Sequence, residues 1–324
     1  MPTSPNSSPS SSRARPPPSP ERTGDGRTGP RHPPAAAADT TEAARTACEG
    51  GSRWIDTAPN YGRGTVHAQL RPVLEEFPAV RVATKTGFYT RAQGEEAVEA
   101  RVLREGLAEA RHSLAPGFID WQTRRSTAVL GRADMVFVHN PETVGHGDRD
   151  RLHAELRAAF AVLEDLACSG LIGGFGVATW SGFTEDAFTI PELLTLAREA
   201  GGPGHHLAAV QQPVSLVMAH PITRALDGRG PLVQARSAGL LTFASAPLHG
   251  GELLDLVTPE LVEFIRPRAA PAAACLLAAG SCPSLDVLLV SASTREHWDT
   301  AVSALDDPLT DTELRKVLDV LAPR

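Results

Sequence analysis

Three side chains in this 324-residue sequence stand where short apolar runs end, and a fourth follows the first of them. Asp56 closes RWID (53–56), Lys85 follows VRVAT (80–84), and His139 follows DMVFV (134–138); Tyr61 comes five residues after Asp56, ahead of Gly62 and Gly64. A carboxylate, an ammonium, an imidazole and a phenol together suit proton delivery to a carbonyl oxygen. A free tyrosine, with a pKa of about 10, is too weak an acid for easy transfer at neutral pH. A neighbouring ammonium favours the phenolate, and a carboxylate behind that ammonium holds it charged and oriented. A histidine beside them can hydrogen-bond the substrate oxygen and fix the carbonyl for attack. No Ser or Cys beside a base presents itself as a nucleophile, so a cofactor's hydride is the natural attacking group. Singly, each residue also reads as a loop cap, a structural lysine or a rim histidine; jointly, at three successive strand ends, they point to function.

The elements that must position them alternate along the chain. Apolar runs at 53–56, 80–84, 134–138, 172–177, 207–211, 240–245 and 286–290 are separated by helix-period segments at 65–77, 95–112, 118–131, 151–169, 190–200, 230–238 and 270–281. Strands that are apolar throughout, each followed by a helix, predict a parallel sheet buried on both faces. The count and size suit a (β/α)8 barrel, whose chemistry sits at the C-terminal ends of the strands. A doubly wound sheet would need a glycine-rich phosphate loop after an early strand, and GGFGVA (173–178) is at the wrong spacing. One strand is missing from the count. Before Ile55 there is no Val, Ile, Leu or Phe, and residues 1–38 contain ten prolines. That stretch reads as a disordered tail, DTTEAARTACEGG after it as a short helix, and 39–324 as the barrel domain without a recognisable first strand.

The bulk composition narrows the function further. With 42% hydrophobic and 21% charged residues the chain is globular, and a net charge of −7 gives no general attraction to nucleic acid or anionic lipid. No apolar run approaches membrane-spanning length and the N-terminus lacks a secretory apolar segment, which predicts a cytoplasmic protein. Cys48, Cys168, Cys275 and Cys282 have no metal-ligand spacing; Cys275 and Cys282 read as thiols rather than a disulfide. His139 and His146 lack a second ligand set and His205-His206 reads as loop, so no metal site is expected. Phe88 and Tyr89, just after Lys85, are the better pocket candidates.

Seven motifs in order resemble the aldo-keto reductase superfamily over about residues 42–306: WIDTAPNYGRGTVHAQL, VATKTG, MVFVHNPE, GFGVATWSG, VQQPVSLV, FASAPLHGGELL and VLLVSASTREHW. The flavour is that of its aldose and pyridoxal dehydrogenase branch. The resemblance implies NADP-dependent carbonyl reduction, with NAD as the other option. Tyr61 would be the general acid, with Lys85, Asp56 and His139 in support. It also implies cofactor contacts from Thr179, Gln211, Ser245, Pro247, Leu248, Ser291, Ser293, Thr294 and Arg295. Several of these depart from the family pattern. A Ser-Asn pair that holds the nicotinamide carboxamide is replaced by Ala178-Thr179, while Gln211 matches the third partner. The stacking aromatic falls at Ser245 and the residue that contacts the 2′-phosphate falls near Ser293, two positions before Arg295. The amides of Ser291–Thr294 at a helix start could still serve a phosphate. The expected partner is a small carbonyl compound. A non-catalytic barrel that senses cofactor or binds a partner, and a redox-neutral lyase or isomerase, are the other readings.

Overall fold

The computed structural model describes residues 37–145 and 147–321. Each of the seven apolar runs contains a strand: β1 Trp54–Asp56, β2 Arg81–Thr86, β3 Met135–His139, β4 Phe175–Ala178, β5 Leu207–Pro213, β6 Leu241–Ser245 and β7 Val287–Leu288. They pair in chain order, every neighbour parallel, into one sheet. The sheet is strongly curled. Strands four places apart in a flat sheet would be separated by about 19 Å, yet Asp56 on β1 is bonded to Gln211 on β5. Trp54 on β1 likewise packs edge-on against Phe243 on β6, ring centroids 5.2 Å apart.

Strand alternation divides the core in two. Ala83, Met135, Phe137, Ala178, Ala209 and Phe243 cluster on the concave face. Val136, Val138, Phe175, Val177, Leu207 and Val210 pack outward with the helices. Both faces are buried, which is why these strands read as continuous apolar runs. Helices Val66–Glu76, Pro116–Leu130, Arg149–Cys168, Ile190–Gly201, Pro231–Ser237 and Pro271–Gly280 occupy the expected intervals. Asp148 caps the third of these by accepting the Arg151 N–H, and Thr189 with Glu192 forms a capping box on the fourth.

Three expectations are corrected. The helix expected at 95–112 is only Arg91–Glu99, because the chain turns left-handed at Arg101 and folds back. The returning segment bonds along the stretch after β2, where the Tyr89 N–H donates to the Arg111 carbonyl and the Ser113 N–H to that of Gly87. Helices His220–Leu226, Pro259–Ile265 and Asp311–Leu321 are additional to those expected, while Arg295–Ser303 follows the helix start expected at Ser291–Thr294. The run at 286–290 yields a strand of two residues.

Among the described residues no strand joins β7 to β1, so backbone pairing does not close the ring. The helical layer crosses that seam instead. Arg295 pairs with Glu49 at 3.0 Å, and Trp298 Nε1 donates to the Gly50 carbonyl at 3.2 Å. Glu49 ends the helix Ala37–Glu49, which starts two residues inside the expected tail. Residues 1–36 and His146 lie outside the described residues. No described helix is long and apolar enough to cross a membrane.

Candidate active site

β1 and β2 run side by side with Asp56 opposite Ala83, and β2 continues two residues to Lys85. Lys85 is 2% exposed. Its ammonium donates to Asp56 Oδ2 and, at 3.0 Å, to the Thr57 carbonyl; it lies 5.1 Å from the centre of the Tyr61 ring. The other carboxylate oxygen, Oδ1, accepts from Gln211 Nε2 at 3.1 Å. Tyr61 opens a tight turn in which its N–H donates to the Ala58 carbonyl, and Gly62, Arg63 and Gly64 follow in the left-handed region at φ 53°, 57° and 94°. That turn brings the phenol back over Lys85 while leaving Tyr61 39% exposed.

His139 ends β3, its ring nearly perpendicular to that of Tyr61 at 6.4 Å between centroids. Phe88 packs edge-on against it at 4.9 Å, and His112 Nε2 donates to its carbonyl at 2.7 Å. Phe88 is itself held by Gln122. The Gln122 carbonyl accepts from Thr86 Oγ1 and the Gly87 N–H, and its amide donates to the Phe88 carbonyl, all at 2.8–2.9 Å. Tyr89, the other aromatic expected in a pocket, is buried against Phe118 instead.

The electrostatics follow from this packing. Burial alone would lower the Lys85 ammonium, but the charge of Asp56 and the adjoining Tyr61 outweigh it, and the net shift is upward. Burial, with Lys85 and His112 adding to it, holds His139 well below 6.5. At neutral pH the site therefore contains a charged lysine and a neutral imidazole. His67, which bonds Thr84 Oγ1 at 3.0 Å, is lowered to about 4 by burial and by Lys85.

The residues expected at the cofactor stand in or beyond strands β4 to β7. Thr179 is buried just past β4, where its hydroxyl oxygen accepts the Gly182 N–H at 2.8 Å. Gln211 is committed to Asp56. Ser245 ends β6 opposite Pro213, Pro247 is buried, and Leu248 packs into the core beyond β6. Ser291, Ser293, Thr294 and Arg295 are exposed; Thr294 caps the helix that follows, and Arg295 is engaged by Glu49. Glu49 precedes β1, so Arg295 meets the end of that strand opposite Asp56.

Gln212 is a residue that the sequence reading passed over. Side chains alternate along a strand, so Gln211 reaches inward to Asp56 and Gln212 takes the other side. Gln212 lines a cavity of about 240 Å³ with Thr179, Trp180, Phe183, Val217 and Met218. Its Nε2 is buried with no hydrogen-bond partner. The doubled glutamine in VQQP was the only signal, and it could not say which residue faces which way.

A curled parallel sheet with ionisable side chains gathered at the C-terminal ends of its strands is the arrangement of a barrel-type enzyme. The aldo/keto reductase family model matches residues 23–260, and the chain belongs to that family of NAD(P)-dependent oxidoreductases. Its structure is similar to that of an aldo/keto reductase from Klebsiella pneumoniae in complex with NADP and acetate. There the identity is 20% and the TM-score 0.62, covering 89% of this chain and 87% of that one. It is also similar to a glycerol dehydrogenase from Gluconobacter oxydans (19% identity, TM-score 0.63, covering 90% and 86%). A third likeness is to an aldo-keto reductase from Bacillus halodurans in its holo form (16%, 0.62, 89% and 88%). At these identities the likeness is one of fold, a (β/α)8-like arrangement. No curated protein matches the sequence.

Proposed function

We propose that this chain reduces a small or medium aldehyde or ketone to the alcohol, with NADP(H) as cofactor and Tyr61 as proton donor. The observation that carries this is the contiguity of Asp56, Lys85 and Tyr61: a buried ammonium held by a carboxylate, under an accessible phenol. His139 is neutral at neutral pH and so is not a strong acid there, which leaves Tyr61 as the acid. The Lys85 charge stabilises the negative charge that appears on the phenol oxygen as its proton leaves. Asp56 and the Thr57 carbonyl keep that ammonium in place. His139 hydrogen-bonds the substrate oxygen and orients the carbonyl, with Phe88 packed behind it.

The cavity beside Gln212 fits a carboxamide. Its unpartnered amide N–H and the Thr179 hydroxyl are donors for an amide oxygen, among apolar walls suited to a flat ring. Gln212 and Thr179 would hold the carboxamide of a nicotinamide, which would supply the hydride. The NADP complex of the similar Klebsiella reductase supports the choice of NADP. The test is Tyr61→Phe, assayed for NADPH oxidation with a reactive aldehyde or quinone. Turnover should fall by about 10²-fold or more, while NADPH binding, followed by nicotinamide fluorescence, stays as in the wild type. Full activity of this variant on several substrates would remove Tyr61 from the acid role.

A further inference from the structure

At the N-terminal end of the sheet, away from the tetrad, three side chains of different chemistry converge. Glu164 and Cys168 are four residues apart on the helix Arg149–Cys168, so both leave the same face at its last turn. His206 immediately precedes β5. Its Nδ1 lies 2.5 Å from Glu164 Oε1, the Cys168 sulfur lies 3.7 Å from that same oxygen, and the His206 backbone N–H donates to Glu164 Oε2 at 2.8 Å. One sulfur, one imidazole nitrogen and one carboxylate oxygen thus lie within 4.8 Å of one another.

The carboxylate is built in rather than draped on the surface. The Glu164 side chain is 7% exposed. It packs under Gly201, where even a Cβ would fall 2.4 Å from its Cδ. Both of its oxygens accept hydrogen bonds, Oε2 from the His206 backbone N–H and Oε1 from His206 Nδ1. The other two groups remain open to solvent: Cys168 is exposed and the His206 side chain is 39% exposed.

We propose that Glu164, Cys168 and His206 form a site for a zinc-type divalent cation. A nitrogen, a thiolate sulfur and a carboxylate oxygen are a borderline-soft set that suits Zn²⁺ or Co²⁺ rather than Mg²⁺ or Ca²⁺. A tetrahedral ion with such ligands separates its donor atoms by about 3.3–3.6 Å. The present spacings bracket that value, and the exposed His206 ring has room to adjust. The protons balance. Cys168 releases its thiol proton to solvent and binds as thiolate, and the Nδ1 proton that bonds Glu164 passes by way of solvent to Nε2, freeing Nδ1 to ligate. Two anionic ligands then match the charge of the dication, and water completes the shell on the open side. A hydrogen-bonded Glu164–His206 pair alone would leave the third donor unexplained, since a thiol is a weak donor that adds little to it. The ion would tie the end of the helix to the start of β5, a structural role independent of the proposed reduction.

The test is a cobalt titration of the full chain, without an affinity tag and with its thiols reduced. One equivalent of Co²⁺ should produce the visible bands of a tetrahedral ion and a thiolate-to-cobalt absorption in the near ultraviolet. Zn²⁺ should displace both. Cys168→Ser should lose the thiolate band and His206→Phe should lose stoichiometric binding, each with the far-ultraviolet circular dichroism of the wild type. The remaining cysteines Cys48, Cys275 and Cys282 are buried, whereas Cys168 is exposed. No thiolate band in the wild type, or a band that persists in Cys168→Ser, would overturn the proposal.

Discussion

Replacing Lys85 by methionine tests whether the buried ammonium is held by charge or merely by shape. The ammonium is 2% exposed, and its partner Asp56 has a side chain 13% exposed whose other polar contact is Gln211. Deleting one member of such a pair leaves the other buried and uncompensated, at a cost of about 3–5 kcal/mol. The small opening of Asp56 to solvent places the expectation near the lower end, about 3 kcal/mol, against a typical domain stability of about 5–15 kcal/mol. Lys85→Met should therefore fold but lose a large share of its stability. The double variant Asp56→Asn with Lys85→Met removes both charges, and its side-chain amide can still accept from Gln211. It should recover most of the loss and lie within about 1 kcal/mol of the wild type. Guanidinium denaturation at neutral pH, followed by circular dichroism, measures all three proteins; turnover should be lost in both variants. If the double variant is as unstable as Lys85→Met, charge compensation is not what holds this site and the reasoning fails.

Other expectations follow from the same geometry. His67 is lowered in the folded state to about 4 from 6.5, so the unfolded chain binds the extra proton between those values. Stability from this group is complete above pH 6.5 and declines as pH falls towards 4, by about 3 kcal/mol in all; His67→Asn should flatten that part of the acid limb in denaturation measured across pH. Arg295→Ala should leave the ratio of NADPH to NADH affinities unchanged, because Glu49 already engages the guanidinium; a selective loss of NADPH binding would put Arg295 at the 2′-phosphate. Gln212→Ala should weaken both cofactors together in fluorescence titrations, since the carboxamide is common to them. Gln122→Leu strands the buried Gly87 N–H and Phe88 carbonyl and should cost about 2–4 kcal/mol in melting experiments.

The strands were legible because a sheet buried on both faces leaves uninterrupted apolar runs, and VRVAT and DMVFV could hardly be anything else. Asp56, Lys85 and His139 were legible because a polar group that ends such a run has only the strand's end to occupy. Helix Arg91–Glu99 is shorter than the pattern predicts, since the residues after it keep a helical composition while the chain turns back at Arg101. His220–Leu226 and Pro259–Ile265 are seven residues each, too short for periodicity to register. The pairing of Gln211 with Asp56 is a property of curvature, 155 residues apart in sequence, and no local pattern encodes it. The convergence of Glu164, Cys168 and His206 was hidden for the same reason: two of the three share a helix, and the third arrives across 38 residues from Cys168.

The seam between β7 and β1 bears on how the site breathes. β1 is three residues long and, among the described residues, pairs with β2 alone, yet it carries Asp56. A marginal edge strand of this kind opens more often than the strands behind it, so its amides should exchange with solvent early. What restrains Asp56 is the pair of side chains that reach it from within, Lys85 from β2 and Gln211 from β5. The polar cluster is thus also a clasp, joining the first strand to the middle of the sheet across the hollow. Slow deuterium uptake at Thr57, whose N–H donates to the Ala83 carbonyl, beside fast uptake at Arg53, would mark where the clasp takes hold. Changes aimed at the chemistry would then also loosen the rim that presents it.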